Sequence, residues 1–341
     1  MQPTSVLRRR QLIAAMALTP LVPLAVQGAP APLKISRPLL GTRVDIVVAH
    51  PRAIEARSQI EQVLAHMQQL EQLMSRFDPA SQLSLINRNA GGDWMPVAPA
   101  LMEVLRQARQ QAALTGGAFN PVLGQLTPQA DQGAKHFAGS FVARMLPHAH
   151  ADALELDSAG MRARLTDPLA RLDLGGIAKL PILAAGLQRL QDAGLTGCLI
   201  NGGGDVLVSA RPDGQPWRIG IRDARQPDRL IAVLPLRAGV VASSGDYERF
   251  ATIDGQRIHH IIHPATGRPT QGLHGATLVA DSVEQVNGLG PAAMVAGPAP
   301  APRRLAQWGV TQALLMGADT VPYISPALRG RLQPPPAASR G

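Results

Sequence analysis

The chain has 341 residues, 45% of them apolar and 17% charged, enough for one large core or two modest ones and too polar for a multispanning membrane protein. The net charge of +9 comes with one dense basic run, Arg8-Arg9-Arg10, and no nucleic-acid-binding motif, so the charge does not mark a phosphate-tracking surface. The sole cysteine, Cys198, excludes an internal disulfide and sits in the apolar run Gly197-Cys198-Leu199-Ile200, where a buried structural thiol is expected.

Residues 1–28 read as an export signal. Paired arginines precede the short apolar runs Ala14–Leu18 and Leu21–Val26, with small residues at Gly28-Ala29, the form of a twin-arginine signal. The expected destination is the periplasm, with an uncleaved inner-membrane anchor as the alternative. Pro20 and Pro23 interrupt the apolar run, which is too short to span a bilayer.

Alternation from Thr42 predicts a strand over 38–50, and apolar positions Ile54, Ile60, Val63, Leu64, Met67, Leu70, Leu73 and Met74 predict an amphipathic helix from Ala53 to about Arg76. Phe77–Ser84 reads as a loop, 87–92 as a turn, and 99–115 as a helix stopped by Gly116-Gly117. The stretch 124–150 has little pattern. Strands are expected at 153–156, 163–165, 196–200, 206–208, 217–221, 231–236 and 276–280, with helices at 180–193 and 283–295. The Pro-rich end, from 329, reads as a disordered tail. No repeat or linker divides the rest, and the prediction is one α+β domain over 35–328 with mixed or antiparallel sheets and packed helices, possibly two-lobed.

Chemistry concentrates in a few turns. Asp173-Leu-Gly-Gly-Ile-Ala-Lys179 has the strand–turn–helix form that suits a phosphate, and Asn201-Gly-Gly-Gly-Asp205 permits close backbone approach; each by itself is equally compatible with a plain tight turn. Ser243-Ser-Gly-Asp-Tyr247 is followed by His259-His-Ile-Ile-His-Pro-Ala-Thr-Gly267, three of the nine histidines within five positions.

Taken in order, Leu40-Gly41-Thr42, Arg76–Asn87, Thr115–Pro121, Asp173–Lys179, Asn201–Asp205, Trp217–Ile221, Ser243–Tyr247 and His260–Gly267 resemble the ApbE family of FAD:protein FMN transferases, over residues 37 to 320. The resemblance implies binding of FAD, Mg²⁺ on its pyrophosphate, and transfer of FMN to a threonine or serine hydroxyl of a target flavoprotein with release of AMP. An exported member suits a membrane-bound target with a periplasmic domain, as in the subgroup associated with nitrous oxide reduction. By the same resemblance, Phe77 stacks on the adenine, Leu40 stands beside it in place of a methionine, and Ala118, Phe119 and Asn120 line the cofactor. Asp173 binds an adenosine hydroxyl or amine, and Lys179 approaches the phosphates. Ser244, Gly245 and His263 fall at the flavin end, and His260 matches the histidine beside the flavin as candidate base, its alternative being a hydrogen-bonded core histidine.

The metal positions depart from the family's pattern. They fall on Gly176, Asn287 and Pro291, where a D-x-x-x-T pair is usual at the last two; asparagine is a poor Mg²⁺ ligand and proline has no side-chain donor. His263 replaces an aspartate. Three readings stay open on the sequence: a working transferase with an altered metal site, a periplasmic FAD binder or carrier that has lost transfer, and a non-flavin scaffold.

Overall fold

The computed structural model describes residues 32–50, 56–127, 139–247, 250–253, 256–318 and 321–336. The export signal read at 1–28 lies outside these residues. In chain order the elements are β1 (Leu33–Leu39), β2 (Thr42–Val48), α1 (Arg57–Met74), α2 (Gln82–Arg88), β3 (Met95–Pro96), α3 (Pro99–Leu114), α4 (Gly139–Met145), β4 (Leu154–Asp157), β5 (Arg162–Leu165), α5 (Lys179–Asp192), β6 (Cys198–Gly202), β7 (Asp205–Val208), β8 (Trp217–Asp223) and β9 (Gln226–Leu236). They continue as β10 (Gly239–Gly245), β11 (Phe250–Ile253), β12 (Gln256–His259), β13 (Ile262–His263), β14 (Arg268–Pro269), β15 (Leu273–Ala280), α6 (Leu289–Ala296), α7 (Ala301–Gln307), β16 (Gln312–Gly317), β17 (Tyr323–Ile324) and α8 (Pro326–Arg329).

The frame is an eight-stranded antiparallel sheet ordered β1-β2-β6-β7-β10-β15-β16-β17. Because strand side chains alternate faces, Val240 and Ala242 of β10 join one core with the helices, while Val241 joins a second core on the other face. That second core is covered by the β8–β9 hairpin through Trp217, Ile219, Ile221, Leu234 and Leu236. A sheet buried on both faces reads as continuous apolar runs, and these two cores make one α+β domain. Helix α1 buries Ile60, Val63, Leu64 and Met67 at the predicted spacing, and crosses α5 so closely that a Cβ on Gly186 would stand 2.6 Å from Met67 Sδ.

Several elements differ from the sequence expectations. The single strand read over 38–50 is a hairpin, because Leu40 and Gly41 both take left-handed conformations (φ +59° and +65°) that reverse the chain. The loop expected through Ser84 gives way to α2 at Gln82, its start capped by Ser81 Oγ, which accepts from the Ser84 amide at 2.9 Å. The helix read over 283–295 begins only at Leu289, after Gly288 at φ +78°. The segment read as a tail starts inside α8, and the main chain of Gln333 pairs with Val233. Among the described residues no helix is long and apolar enough to cross a membrane.

Candidate functional site

Antiparallel pairing brings the β1/β2 turn, the β6/β7 turn, the end of β10 and the start of β15 to one end of the sheet. The turns there are built with little slack. Leu40 is a non-glycine residue in the left-handed region, a conformation that persists where surroundings over-determine it. Glu71 of α1 does so: its carboxylate accepts from the main-chain amides of Leu40 and Gly41. Burial raises the Glu71 pKa above the ordinary 4.5, and the two amides pull it the other way without cancelling the shift. Thr42 packs under the neighbouring turn, where a Cβ on Gly203 (φ +66°) would lie 2.5 Å from Thr42 Oγ1, so only glycine fits.

Lys179, at the first position of α5, reaches Asp205 Oδ2 at 2.8 Å, and Asp205 Oδ1 accepts from the Ser243 amide at 2.8 Å. This buried carboxylate therefore locks the lysine of one motif to the serine pair of another. The lysine expected near phosphates carries its own counter-charge. An anion arriving there meets a pair that is close to neutral.

Asp173 is held in the same manner. Its Oδ2 accepts from Arg76 Nη1 at 3.0 Å and its Oδ1 from the Gly175 amide at 2.8 Å. Arg76 also donates to the carbonyls of Gly124 and Thr127, and its guanidinium stands 5.0 Å from the centroid of the Phe77 ring. Phe77 is 67% exposed, an unsheltered ring fixed beside a buried ion pair. Asn87 clamps the same loop by a reciprocal pair with the main chain of Leu172.

In the 115–120 loop the Thr115 hydroxyl accepts from the Phe119 amide at 2.9 Å. Asn120 is engaged at both ends of its amide, donating to the Ala149 carbonyl at 2.7 Å and accepting from the Val122 amide at 2.8 Å. Its side chain shapes the loop. Ala118 is half-buried, and Phe119 is 5% exposed.

The three metal positions do come together, around Phe119. A Cβ on Gly176 would stand 3.4 Å from that ring and 3.6 Å from Pro291 Cγ, and one on Gly288 would stand 3.3 Å from the ring. Their chemistry does not fit Mg²⁺. Asn287 is buried and donates its Nδ2 to Gln107 Oε1 at 3.1 Å, Pro291 presents hydrocarbon, and the Phe119 ring lies against Gly176 and Gly288. Mg²⁺ demands several oxygens, with anionic carboxylates supplying the charge. Among the described residues no three His, Cys, Asp or Glu side chains are grouped to hold a metal.

The histidines divide by role. His259 is a buried latch: Nε2 donates to the Thr270 carbonyl at 2.9 Å and Nδ1 accepts from the Ile261 amide at 3.3 Å. His260 is half-buried at the bend between β12 and β13. His263 Nδ1 accepts from the Ala265 amide at 3.2 Å, while its carbonyl accepts from the amides of Thr266 and Gly267. That is how an aspartate closes an Asx turn, so the imidazole keeps the turn that the missing carboxylate would make. Ile262, at the start of the turn, packs with Leu123, Leu126, Val142 and Met145.

Four participants escaped the sequence reading: Glu71, Arg76 as the partner of Asp173, Gln107, and His274. His274 Nδ1 lies 2.6 Å from Asp246 Oδ2. Nothing in the sequence marks Glu71, Gln107 or His274, and although Arg76 opens one of the motifs, its pairing with Asp173 of another has no local signal.

Comparison with known proteins places this arrangement. The ApbE family model matches residues 40–315. An FAD:protein FMN transferase of Treponema pallidum is 32% identical over 256 residues, covering 68% of this chain and 69% of that protein. One from Rhodobacter capsulatus is 29% identical over 300 residues, 86% of this chain, which spans 57% of that protein's length. The crystal structure of the ApbE protein of Thermotoga maritima superposes with a TM-score of 0.80 at 28% identity, covering 88% of this chain and 99% of that one. The fold, the motif order and these matches lead to one conclusion: the chain belongs to the ApbE family.

Proposed function

We propose that this chain is an FAD:protein FMN transferase, the activity for which its relatives in Treponema pallidum and Rhodobacter capsulatus are named. The observation that carries the reading is the linkage of its motifs at one end of the sheet: Lys179 to Asp205 to Ser243, Ser244 against Gly290, and Asp173 to Arg76 beside the open Phe77 ring. In this reading adenine stacks on Phe77 with Leu40 beside it, and the diphosphate lies over the start of α5. The flavin takes the end lined by Ser244, Gly245, His260 and His263. A serine or threonine hydroxyl of a target protein attacks the flavin-side phosphorus and AMP departs.

Two finer statements belong to the same proposal. The target is a membrane-bound flavoprotein with a periplasmic domain, reached by export of this chain behind Arg9-Arg10. The transfer runs without Mg²⁺ at Gly176, Asn287 and Pro291, for the reasons of donor chemistry given above.

Incubation with FAD and a target domain bearing a flavinylation motif tests the reading, with fluorescence of the target band after denaturation as readout. A covalent fluorescent band that persists in EDTA is expected. Binding of FAD without any band favours the second reading, an FAD carrier, which Pro291 in the metal position supports. A protein that neither binds FAD nor labels the target overturns both.

A further inference from the structure

Between β12 and β13 the chain bends at His260, which is half-buried, and the residues on either side of it are fixed. His259 pairs with Phe250 in the β11–β12 ladder. Ile261 is buried in the main core and Ile262 in the smaller cluster with Leu126 and Val142.

The β13–β14 ladder pairs Ile262 with Pro269 and His263 with Arg268, so the same register sets Ile261 opposite Thr270. Opposed residues of a hydrogen-bonded antiparallel pair exchange two N–H···O bonds. Here one is direct, from the Thr270 amide to the Ile261 carbonyl at 3.0 Å. The other is relayed by a side chain: the Ile261 amide donates to His259 Nδ1 at 3.3 Å, and His259 Nε2 donates to the Thr270 carbonyl at 2.9 Å. The imidazole is inserted into the ladder.

An amide only donates and a carbonyl only accepts, so these two partners fix the neutral ring with its proton on Nε2. His259 is buried, and loss of either bond strands a main-chain group. The bond from the Ile261 amide to Nδ1 spans residue 260, the form of an Asx turn with an imidazole in place of the short side chain. Rotation of the main chain at His260 would break it. The His259 ring therefore sets the direction in which the next side chain leaves the bend.

We propose, resting on the transferase reading and on His260 as the base it implies, that His259 is a positioning residue for the transfer: its ring, inserted between Ile261 and Thr270, holds the bend that aims His260. His259 exchanges no proton with the substrate, since both of its nitrogens are committed to the main chain.

His259→Asn, His259→Gln and His259→Phe in the full chain decide the matter, with thermal midpoint, FAD affinity and kcat of target labelling read on each. Asn offers an oxygen to the Ile261 amide as Nδ1 does, but stops short of Thr270. Gln carries its amide out to the place of Nε2 and leaves the Ile261 amide unmet; Phe keeps a ring and loses both bonds. The expected kcat is within about fivefold of wild type for Asn and about 10- to 100-fold lower for Gln and Phe, with FAD affinity within about twofold throughout. Where Phe does not fold, the comparison of Asn with Gln decides, because each keeps a polar group at the buried position. A role in stability alone lowers the midpoint and leaves the kcat of the folded protein in place. Wild-type kcat in His259→Gln overturns the proposal, as does an Asn variant no faster than Gln, or a loss that FAD affinity shares. A wild-type protein that binds FAD but labels no target overturns the transferase reading, and the role of His259 with it.

Discussion

Asn287 donates its side-chain amide to Gln107 Oε1 across 3.1 Å, tying the turn before α6 to α3 and placing a neutral, occupied group in the position where a metal ligand is expected. Pro291 and the Phe119 ring, which both stand within 3.6 Å of a Cβ placed on Gly176, add hydrocarbon to the same neighbourhood.

The double substitution Asn287→Asp with Pro291→Thr therefore returns an anionic ligand and a hydroxyl to this position. Without metal, the introduced carboxylate is buried with no cation beside it, and stability falls by about 2–4 kcal/mol. Millimolar Mg²⁺ restores it in the double variant and leaves the wild-type protein unchanged. Chemical denaturation with and without Mg²⁺ checks both halves; a wild-type midpoint that rises with Mg²⁺ refutes the reading of this site.

Phe77 is exposed beside the Arg76–Asp173 pair, so its ring contributes little to the fold. Phe77→Ala changes stability by less than about 0.5 kcal/mol. It weakens FAD binding by about 10- to 100-fold, the equivalent of roughly 1–3 kcal/mol of base stacking. FMN, which lacks adenine, binds both proteins alike. Titration of flavin fluorescence with each ligand separates the two effects.

Glu71 gives stability a pH dependence of known sign. Its folded pKa is raised above 4.5, chiefly by burial, so the protonated form is favoured by folding and its contribution is complete below the unfolded value. That contribution is lost as pH rises through the folded pKa. Glu71→Gln, which still accepts from the Leu40 and Gly41 amides, removes this dependence just above pH 4.5 and is no less stable than wild type at pH 7. Glu71→Ala strands both amides and costs about 1–3 kcal/mol. Unfolding at several pH values distinguishes the three proteins.

Cys198 lies fully buried on β6, and burial pushes its thiol pKa up to about 12. The thiolate is the nucleophile, so the native protein resists alkylation by iodoacetamide at pH 8, while the unfolded chain is labelled fully. Mass spectrometry after each treatment reads the difference; rapid labelling of native protein contradicts the burial.

Much of the architecture was legible in local pattern. Ile60, Val63, Leu64 and Met67 on α1 announced a buried helix face, because the helical period is a property of consecutive residues. The 38–50 hairpin was not, since nothing in the side chain of Leu40 demands a left-handed backbone; Glu71 supplies that demand from another helix. For α6, apolar periodicity ran past its true start, and the positive φ of Gly288 cut it short.

By itself the sequence determined the family and the α+β class, because motif order and short-range period survive without any long-range contact. Only the tertiary structure decided what the motif residues face. Asp173 meets Arg76 across 97 positions, Asn287 meets Gln107 across 180, and Asp246 meets His274 across 28. Such pairs depend on sheet register and helix docking. Each is a consequence of the whole fold with no local signature, and each fixes what a motif side chain bonds to.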